Sequence, residues 1–249
     1  MQNNMSNILL IHGSWHGGWC WDEVKASLEK DGHTVLAPTL LEMDYRKQPP
    51  ARGIGLVEHI NSLKKIITEL DLTNLIIVGH SYGGMVMTGL SLLIPDRIKK
   101  IVYLDAFLPN PGESLFDISA PERVQTMKKS LVDEDGKTLE QGGVDPYLLP
   151  VRDPEFFGIY DQSIKDAIKD KLVKTSVKTF TDKIGTGEVS ADIKKYYIRC
   201  TQFPISERFE NKAKAMKYEC YGFDAGHDVM LTNPNLLVNL LTKIIDKNK

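Results

Sequence analysis

The chain has 249 residues, near the upper limit of what one hydrophobic core organises, so we expect one domain of enzyme size with room for an insertion. Hydrophobic residues make up 42% of the chain and charged residues 26%, a balance that excludes disordered and collagen-like proteins. The 31 basic and 33 acidic residues give a net charge of -2, and basic residues never occur in runs longer than two. This distribution argues against nucleic-acid binding.

Three cysteines, Cys20, Cys200 and Cys220, cannot all pair with one another and lack zinc-binding spacing. We therefore expect them to be reduced. The polar N-terminus does not resemble a secretory signal, so a cytoplasmic location is expected. The uncharged stretch 72–95 is long enough to span a membrane, but it contains a histidine, a serine and a glycine pair near its centre. A buried strand, a turn and a helix explain this stretch better.

Apolar runs alternate with helical periodicity along the chain. In chain order, the pattern predicts strand 8–11, helix 21–31, strand 34–37, helix 56–70, strand 75–78, helix 83–94, strand 99–104, strand 196–199, strand 218–221 and helix 236–245. Buried strands that alternate with helices form parallel sheets. The sequence therefore predicts the α/β class, with a doubly wound, mostly parallel sheet.

The alternation stops between residues 111 and 190, where prolines divide the chain into short segments. Residues 163–180 have helical spacing, and a structureless loop of this length is improbable in a compact domain. We therefore predict a mainly helical cap over 111–190, inserted into a core formed by 1–110 and 191–249. The cap contains 11 basic and 15 acidic residues, which gives no indication of an anionic substrate.

The most informative motif is Gly79-His80-Ser81-Tyr82-Gly83, a G-x-S-x-G pattern between a predicted strand and a predicted helix. A serine in such a tight turn takes a strained conformation, and glycines beside it leave room for neighbouring backbone. The start of the following helix directs N–H groups towards an oxyanion. Ser81 is therefore the candidate nucleophile, and the alternative is a glycine-rich turn with a capping serine.

A serine hydroxyl needs a base within hydrogen-bond reach. His227 follows the last predicted strand and precedes the C-terminal helix, which makes it the candidate base. We expect the oxyanion to bind the backbone N–H of Tyr82 and that of Ser14, which lies in the loop after the first strand. His12 and His16 in the same loop are expected to brace it rather than to react.

Four segments of this sequence resemble the α/β-hydrolase superfamily, and most closely its plant methylesterase and hydroxynitrile lyase group with their bacterial esterase relatives. They are residues 11–21 (IHGSWHGGWCW), 79–84 (GHSYGG), 103–109 (YLDAFLP) and 226–228 (GHD). The similarity covers nearly all of the predicted sheet domain, while the cap matches only by position. The resemblance implies a hydrolase with a serine, a histidine and an acid, and it names no substrate.

The acid is where this sequence departs from the plant pattern. The plant enzymes have an aspartate after the fifth strand, in a C-T-D context, whereas Cys200-Thr201 is followed here by the uncharged Gln202. In other members of the superfamily the acid follows the strand after the nucleophile helix, the position of Asp105. We therefore predict Asp105 as the acid, with Glu207 as the next candidate. The alternative role for Asp105 is a salt bridge in a loop or in the cap.

The resemblance also bears on the reaction. Hydroxynitrile lyases of this group have a lysine directly after the catalytic histidine, and Asp228 stands here, so a lyase is disfavoured. The leading hypothesis is a serine hydrolase that cleaves a small, fairly apolar carboxylic ester through an acyl-enzyme. Candidate pocket walls, which alternatively form only the core of the cap, are Phe116, Met127, Tyr147, Leu148, Phe156 and Phe157.

Three other functions stay open on the same fold: an amide or carbamate hydrolase, a cofactor-free oxygenase, and a non-catalytic receptor for a small ligand. The sequence has no P-loop, no dinucleotide-binding glycine motif and no cluster of metal ligands, so we expect neither a cofactor nor a metal. The expected partner is a small-molecule ester, without nucleic acid or membrane. The oligomeric state is not readable from the sequence, and a homodimer stays open.

Overall fold

Six parallel strands form the central sheet in a computed structural model that describes residues 5–47 and 52–247. The described residues contain eight strands, of which six form this sheet. In chain order they are β1 (Asn7–Ile11), β2 (Thr34–Leu36), β3 (Leu75–His80), β4 (Ile98–Leu104), β5 (Leu148–Leu149), β6 (Thr175–Ser176), β7 (Lys194–Cys200) and β8 (Glu219–Phe223). The sheet order is β2-β1-β3-β4-β7-β8, and β5 and β6 form a separate antiparallel pair. The predicted α/β class with a parallel sheet is confirmed.

Helices cover both faces of this sheet. They are α1 (Asp22–Lys30), α2 (Leu56–Glu69), α3 (Gly83–Leu93), α4 (Pro121–Lys129), α5 (Gln162–Ile168), α6 (Lys178–Thr181), α7 (Glu207–Ala215), α8 (Val229–Thr232) and α9 (Pro234–Asp246). Side chains of α2, α3 and α7 pack in the core on one face, and those of α1 and α9 pack on the other. Within the two described ranges, no helix is both long and apolar enough to cross a membrane.

Strand β3 is buried along its whole length because helices lie on both of its faces. Its residues alternate between the two cores: Ile77 packs with α2 and α3, and Val78 packs with α1 and α9. Val78 is in register with Val102 of β4, which is in register with Tyr196 of β7. Because the strands are parallel, the loops after β1, β3, β4 and β8 meet at one edge of the sheet, where ligands bind in such folds.

Local sequence explains helix α2, which packs against α3. Leu56, Ile60, Leu63 and Ile67 recur with helical spacing, and all four are buried. The carboxylate of Glu58 accepts a hydrogen bond from the backbone N–H of Gly55 at 2.8 Å, which closes the first turn. The apolar stripe and this cap together explain why the prediction of a helix here is correct.

The segment between β4 and β7 contains one error of prediction. The sequence predicts a single helix over 163–180, but α5 ends at Ile168 and is followed by β6 and α6. Strand β6 pairs with β5, and the N–H of Val173 donates to the carbonyl of Trp15 at 2.9 Å. These contacts with distant parts of the chain replace the internal hydrogen bonds of a continuous helix. The division into core and cap at residues 111 and 190 stays a prediction.

Helix α7 carries only a weak sequence signal. Phe209 and Ala213 are its buried residues, and the remaining positions are mostly charged. A stripe of two apolar residues is too short to establish helical periodicity. Packing against β7 and β8, rather than local pattern, accounts for this helix.

Candidate active site

Ser81 lies in a strained turn between β3 and α3. Its φ of +53° is in the left-handed region, which residues with a side chain rarely adopt. A Cβ added at Gly79 would lie 2.7 Å from the carbonyl oxygen of Gly83, and one added at Gly83 would lie 2.6 Å from that of Ile11. Both glycines of the motif are therefore required by close backbone contacts, as expected for this kind of turn.

Backbone hydrogen bonds join the serine turn to the loop after β4. The N–H of Ser81 donates to the carbonyl of Leu104 at 3.3 Å, and the carbonyl of Ser81 accepts from the N–H of Phe107 at 3.1 Å. Between these two partners lies Asp105, whose φ of +45° is also left-handed. The two strained residues are thus held in a fixed relative position.

His227 and Asp105 form a buried pair. Nδ1 of His227 lies 2.6 Å from Oδ2 of Asp105, and the two side chains are 3% and 0% exposed. The other carboxylate oxygen of Asp105 accepts the backbone N–H of Cys200 at 2.9 Å. Because an ionised carboxylate can only accept, Nδ1 donates, which leaves Nε2 of His227 as a proton acceptor. The ring of Phe203 stacks on this imidazole with the ring centres 4.0 Å apart.

The other acidic residues near His227 in sequence or in fold have different partners. Glu207, the second candidate for the acid, is 58% exposed, and its carboxylate lies 3.6 Å from the guanidinium of Arg199. Asp224 accepts hydrogen bonds from Thr201 and Gln202. The structure therefore brings Asp105, and neither of these residues, to Nδ1 of His227.

The loop after β1 borders Ser81. A Cβ added at Gly13 would lie 2.9 Å from the Cβ of Ser81 and 3.4 Å from its Oγ. Ser14, the next residue, is 3% exposed. On the other side, the hydroxyl of Tyr82 bonds to Nδ1 of His59 at 3.0 Å, so Tyr82 has only its backbone to offer the site. The two predicted oxyanion donors thus lie in the segments that flank the serine.

A second buried histidine–aspartate pair lies beside the first. Nε2 of His16 is 2.9 Å from Oδ2 of Asp228, and the two side chains are 1% and 0% exposed. Nδ1 of His16 donates to the carbonyl of Ser14 at 2.8 Å. Both ring nitrogens therefore face acceptors, a pattern that an imidazolium beside a carboxylate satisfies. The pair links the loop of Ser14 to the residue directly after His227.

The pKa shifts of His16 and Asp228 agree with an ion pair between the two side chains. Burial opposes the charge on His16, but the carboxylate of Asp228 outweighs it and raises the pKa of His16. Burial likewise opposes ionisation of Asp228, but the charge of His16 outweighs it and lowers the pKa of Asp228. The sequence predicts His16 as a brace but does not identify Asp228 as its partner, because 212 positions separate the two.

Three neighbouring histidines are held neutral. Burial lowers the pKa of His12 to about 3 and that of His59 to about 4, and it also lowers the pKa of His80. Nε2 of His12 accepts the N–H of Leu40 at 3.0 Å, and Nε2 of His80 donates to the carbonyl of His227 at 3.1 Å. These residues brace the site as neutral hydrogen-bonding groups.

In the described part of the chain, one group of three residues has possible metal-ligating atoms within 4.8 Å of one another: His80, His227 and Asp228. All three are buried, and each is bonded to protein. His80 bonds to the carbonyl of His227, Asp228 bonds to His16, and His227 bonds to Asp105. We therefore assign no metal to this group.

Two of the predicted pocket residues lie next to the histidine. Phe157 is nearly parallel to His227, with the ring centres 6.3 Å apart. Phe156 contacts Phe203 edge-on at 5.8 Å, and Phe203 in turn stacks on His227. Phe156 and Phe157 thus form an aromatic wall beside the imidazole.

The other four predicted pocket residues pack in hydrophobic clusters, and the main cluster also contains Phe157 and contacts Phe156. Met127 is buried in the main core, and Phe116 packs against the same core, with Phe180 5.7 Å away between ring centres. Tyr147 and Leu148 lie instead in a separate small cluster with Val132. The structure therefore does not group these two with Phe156 and Phe157.

Substitution of Gly13 by alanine tests how closely the loop after β1 approaches the serine. The added methyl group would lie 2.9 Å from the Cβ of Ser81, whose position is fixed by the backbone, so the loop or the serine turn must shift. We expect kcat to fall about 10²-fold, the scale of loss when a reacting group is misplaced, with little change in the urea midpoint of unfolding. Gly53→Ala is the control, because a Cβ there meets nothing within 4 Å. Wild-type kcat in Gly13→Ala would contradict the expectation.

Comparison with known proteins gives relatives over nearly the whole chain. The carbendazim hydrolyzing esterase of Nocardioides sp. (strain SG-4G) is 32% identical, over 96% of this chain and 100% of that protein. Salicylic acid-binding protein 2 of Nicotiana tabacum is 30% identical, over 97% of each chain. Methylesterase 7 of Arabidopsis thaliana is 28% identical, over 99% of this chain and 98% of the relative.

A solved structure and a family model agree with the similarity to these relatives. An extracellular alpha/beta-hydrolase from a Paenibacillus species superposes with a TM-score of 0.78, over 96% of this chain and 98% of that chain, at 24% identity. At this identity the likeness shows the fold alone. The family model described as the alpha/beta hydrolase family matches residues 8–240. The chain therefore belongs to the alpha/beta hydrolase family.

Proposed function

We propose that the protein is a serine esterase that cleaves a small, fairly apolar carboxylic ester through an acyl-enzyme. The observation that carries the proposal is the buried 2.6 Å hydrogen bond between Asp105 and His227, beside a serine held at a φ of +53°. The carbendazim hydrolyzing esterase and Methylesterase 7 both match over nearly their whole length and are named as esterases, which supports the same class of reaction.

In the proposed reaction, Asp105 orients His227, and Nε2 of His227 accepts the proton of Ser81 as its Oγ attacks the acyl carbonyl. The backbone N–H groups of Ser14 and Tyr82 stabilise the oxyanion that forms. His227 then passes the proton to the leaving alcohol, and an acyl-enzyme remains. Water, activated by the same histidine, attacks the acyl-enzyme, releases the carboxylic acid and restores Ser81.

The aromatic wall of Phe156 and Phe157 is proposed to contact the substrate, because Phe157 lies parallel to His227. A small apolar acyl or alcohol group fits such a wall. We assign Phe116, Met127, Tyr147 and Leu148 to packing in these clusters. Phe157 is buried in the same cluster as Met127, and its ring contact with His227 is the reason for assigning it to the substrate site.

Replacement of Ser81 by alanine should abolish multiple turnover of short p-nitrophenyl esters, because no other nucleophile in the proposed reaction replaces its Oγ. Intact mass after treatment with a fluorophosphonate should show one adduct on the wild type and none on Ser81→Ala. Urea unfolding of both proteins serves as the control for folding. Full turnover by Ser81→Ala would refute the assignment.

The same proteins distinguish the alternative functions. Matched amide and carbamate substrates, turned over faster than the ester, would favour an amide or carbamate hydrolase. Oxygen uptake that survives in Ser81→Ala would favour a cofactor-free oxygenase. One adduct without turnover of any substrate would favour a receptor.

Two further expectations remain proposals. A cytoplasmic location fits three cysteines that are free in the described structure. A monomer and a homodimer both stay open, and light scattering of the purified protein measures which one forms.

A further inference from the structure

Three arginines near the site form no ion pair with any carboxylate that the structure describes. Arg123 lies on α4, Arg208 lies on α7, and Arg152 lies in the segment between β5 and α5. The other four arginines each form at least one ion pair with a carboxylate: Arg46, Arg52, Arg97 and Arg199. Across residues 5–47 and 52–247, the guanidinium groups of Arg123, Arg152 and Arg208 form neither an ion pair nor a hydrogen bond.

Aromatic rings hold these three side chains in place. The guanidinium carbon of Arg208 lies 4.7 Å from the ring centre of Phe209, and that of Arg123 lies 5.9 Å from the ring centre of Phe107. The guanidinium of Arg152 lies over Phe156 at 5.5 Å. Cation–π contacts orient a guanidinium but leave its N–H donors available.

Burial and two like charges act on Arg123. Burial lowers the pKa of Arg123 to about 10, and the positive charges of Arg152 and Arg208 add to this effect. Arg123 therefore still carries a charge at neutral pH. A half-buried cation beside two like charges is unfavourable without an anion, and no carboxylate among the described residues acts on Arg123.

Arg123 and Arg208 line a cleft of about 420 Å³ between α4, α7 and the loop after β4. This volume is within the range of small-molecule sites. Phe107, in the cleft wall, is the residue whose N–H bonds to the carbonyl of Ser81. Pro204, also in the wall, directly follows Phe203, which stacks on His227. The cleft wall is therefore connected to the serine turn through Phe107 and to the imidazole through Phe203, the residue before Pro204.

One acidic residue, Glu207, belongs to the cleft lining in the described structure. Its carboxylate lies 3.6 Å from Arg199, a partner outside the lining, and its side chain is 58% exposed. Glu207 therefore does not neutralise Arg123. The cleft presents two guanidinium groups and an apolar wall that includes Phe107 and Phe209.

We propose that this cleft binds an anionic oxygen group, a carboxylate or a phosphate, at the far end of the ester substrate. The inference rests on the proposed esterase function and names its substrate class: an ester with a short apolar chain that ends in an anion. Guanidinium forks match both groups through paired hydrogen bonds, while the aromatic residues contact the chain. The net negative charge of residues 111–190 gives no indication of this site, because that count leaves out Arg208.

The test compares two esters that differ in one charge: p-nitrophenyl hexanoate and the p-nitrophenyl monoester of adipic acid. We expect wild-type kcat/KM to be at least about ten-fold higher for the adipate ester, and this ratio should fall in about 0.5 M NaCl. Arg123→Gln should bring the ratio close to one. Lys65→Gln is the matched control. It removes one exposed charge near the C-terminal end of α2, towards the opposite edge of the sheet, and should keep the ratio.

A binding measurement separates this inference from the proposed function. Calorimetry of Ser81→Ala should show tighter binding of the adipate ester than of the hexanoate ester, and Arg123→Gln in the same background should remove the difference. This difference in binding would support the anion site whether or not the wild type is an esterase. Absence of both ester turnover and a fluorophosphonate adduct in the wild type would refute only the esterase.

Equal binding and equal kcat/KM for the two esters would refute the anion site and leave the esterase intact. An equal loss for both esters in Arg123→Gln would likewise refute it, because this is the effect of a purely structural residue. A matched ester that ends in a phosphonate identifies the source of the charge. Preference for either anionic ester over hexanoate supports the proposal.

Discussion

Replacement of Asp105 by asparagine should lower kcat about 10⁴-fold in a folded protein, the loss known for a triad aspartate in a serine protease. The reason lies in the partners of the two carboxylate oxygens. Oδ1 accepts the N–H of Cys200, and Oδ2 accepts Nδ1–H of His227. Asparagine keeps its oxygen towards the N–H of Cys200, which turns its NH₂ group towards His227. Nδ1 must then accept, the proton moves to Nε2, and the imidazole no longer serves as the base.

Steady-state kinetics on a short p-nitrophenyl ester measure this effect, with urea unfolding as the check on folding. Asp224→Asn is the matched control, because the same substitution is made three positions before His227, at an exposed carboxylate that bonds to Thr201 and Gln202. We expect Asp224→Asn to keep kcat within a few-fold. Comparable losses in both variants, or a loss below ten-fold in Asp105→Asn, would exclude Asp105 as the acid.

Replacement of Asp228 by asparagine should lower the free energy of unfolding by about 3–5 kcal/mol, the usual effect of removing one partner of a buried ion pair. Asparagine leaves His16 either charged without a counterion or forced to release its proton, and both outcomes are unfavourable at 1% exposure. A loss of esterase activity should accompany the loss of stability, since His16 bonds to the carbonyl of Ser14 in the proposed oxyanion loop.

The loss of stability should depend on pH in a defined direction. The pKa of His16 is raised from its ordinary value of 6.5, so its contribution is complete below pH 6.5 and is lost as the pH rises through its folded-state pKa. The pKa of Asp228 is lowered from 3.8, so its contribution is complete above pH 3.8 and is lost as the pH falls through its folded-state pKa. The difference between wild type and Asp228→Asn should be largest between these two ordinary values.

Urea unfolding at a series of pH values measures this difference directly. Asp145→Asn is the control, because its carboxylate is 83% exposed and pairs with Arg52 at the surface, where we expect a change below about 0.5 kcal/mol. His16→Gln made in the Asp228→Asn background should cause little further loss, because the two residues act as one pair. A difference that stays constant from pH 4 to pH 9 would contradict the ion pair.

The sequence determined those features that depend on neighbouring residues. The strands and helices of the sheet follow from apolar periodicity within each segment, and helix α2 is the clearest case because Leu56, Ile60, Leu63 and Ile67 form one stripe. The serine turn follows from Gly79 and Gly83, which lie within two positions of Ser81. Chain order then predicted His227 as its partner, and resemblance added Asp105 without excluding Glu207.

The tertiary structure alone decided which distant groups meet. It brought Asp105, and not Glu207, to His227, and it joined His16 to Asp228 across 212 positions. It divided the helix predicted over 163–180, because strand pairing and a bond to Trp15 took up the backbone groups there. It also placed Arg123 and Arg208 in the lining of one cleft. Periodicity and local sterics act over a few residues, whereas these contacts depend on how the whole chain is packed, which no local pattern encodes.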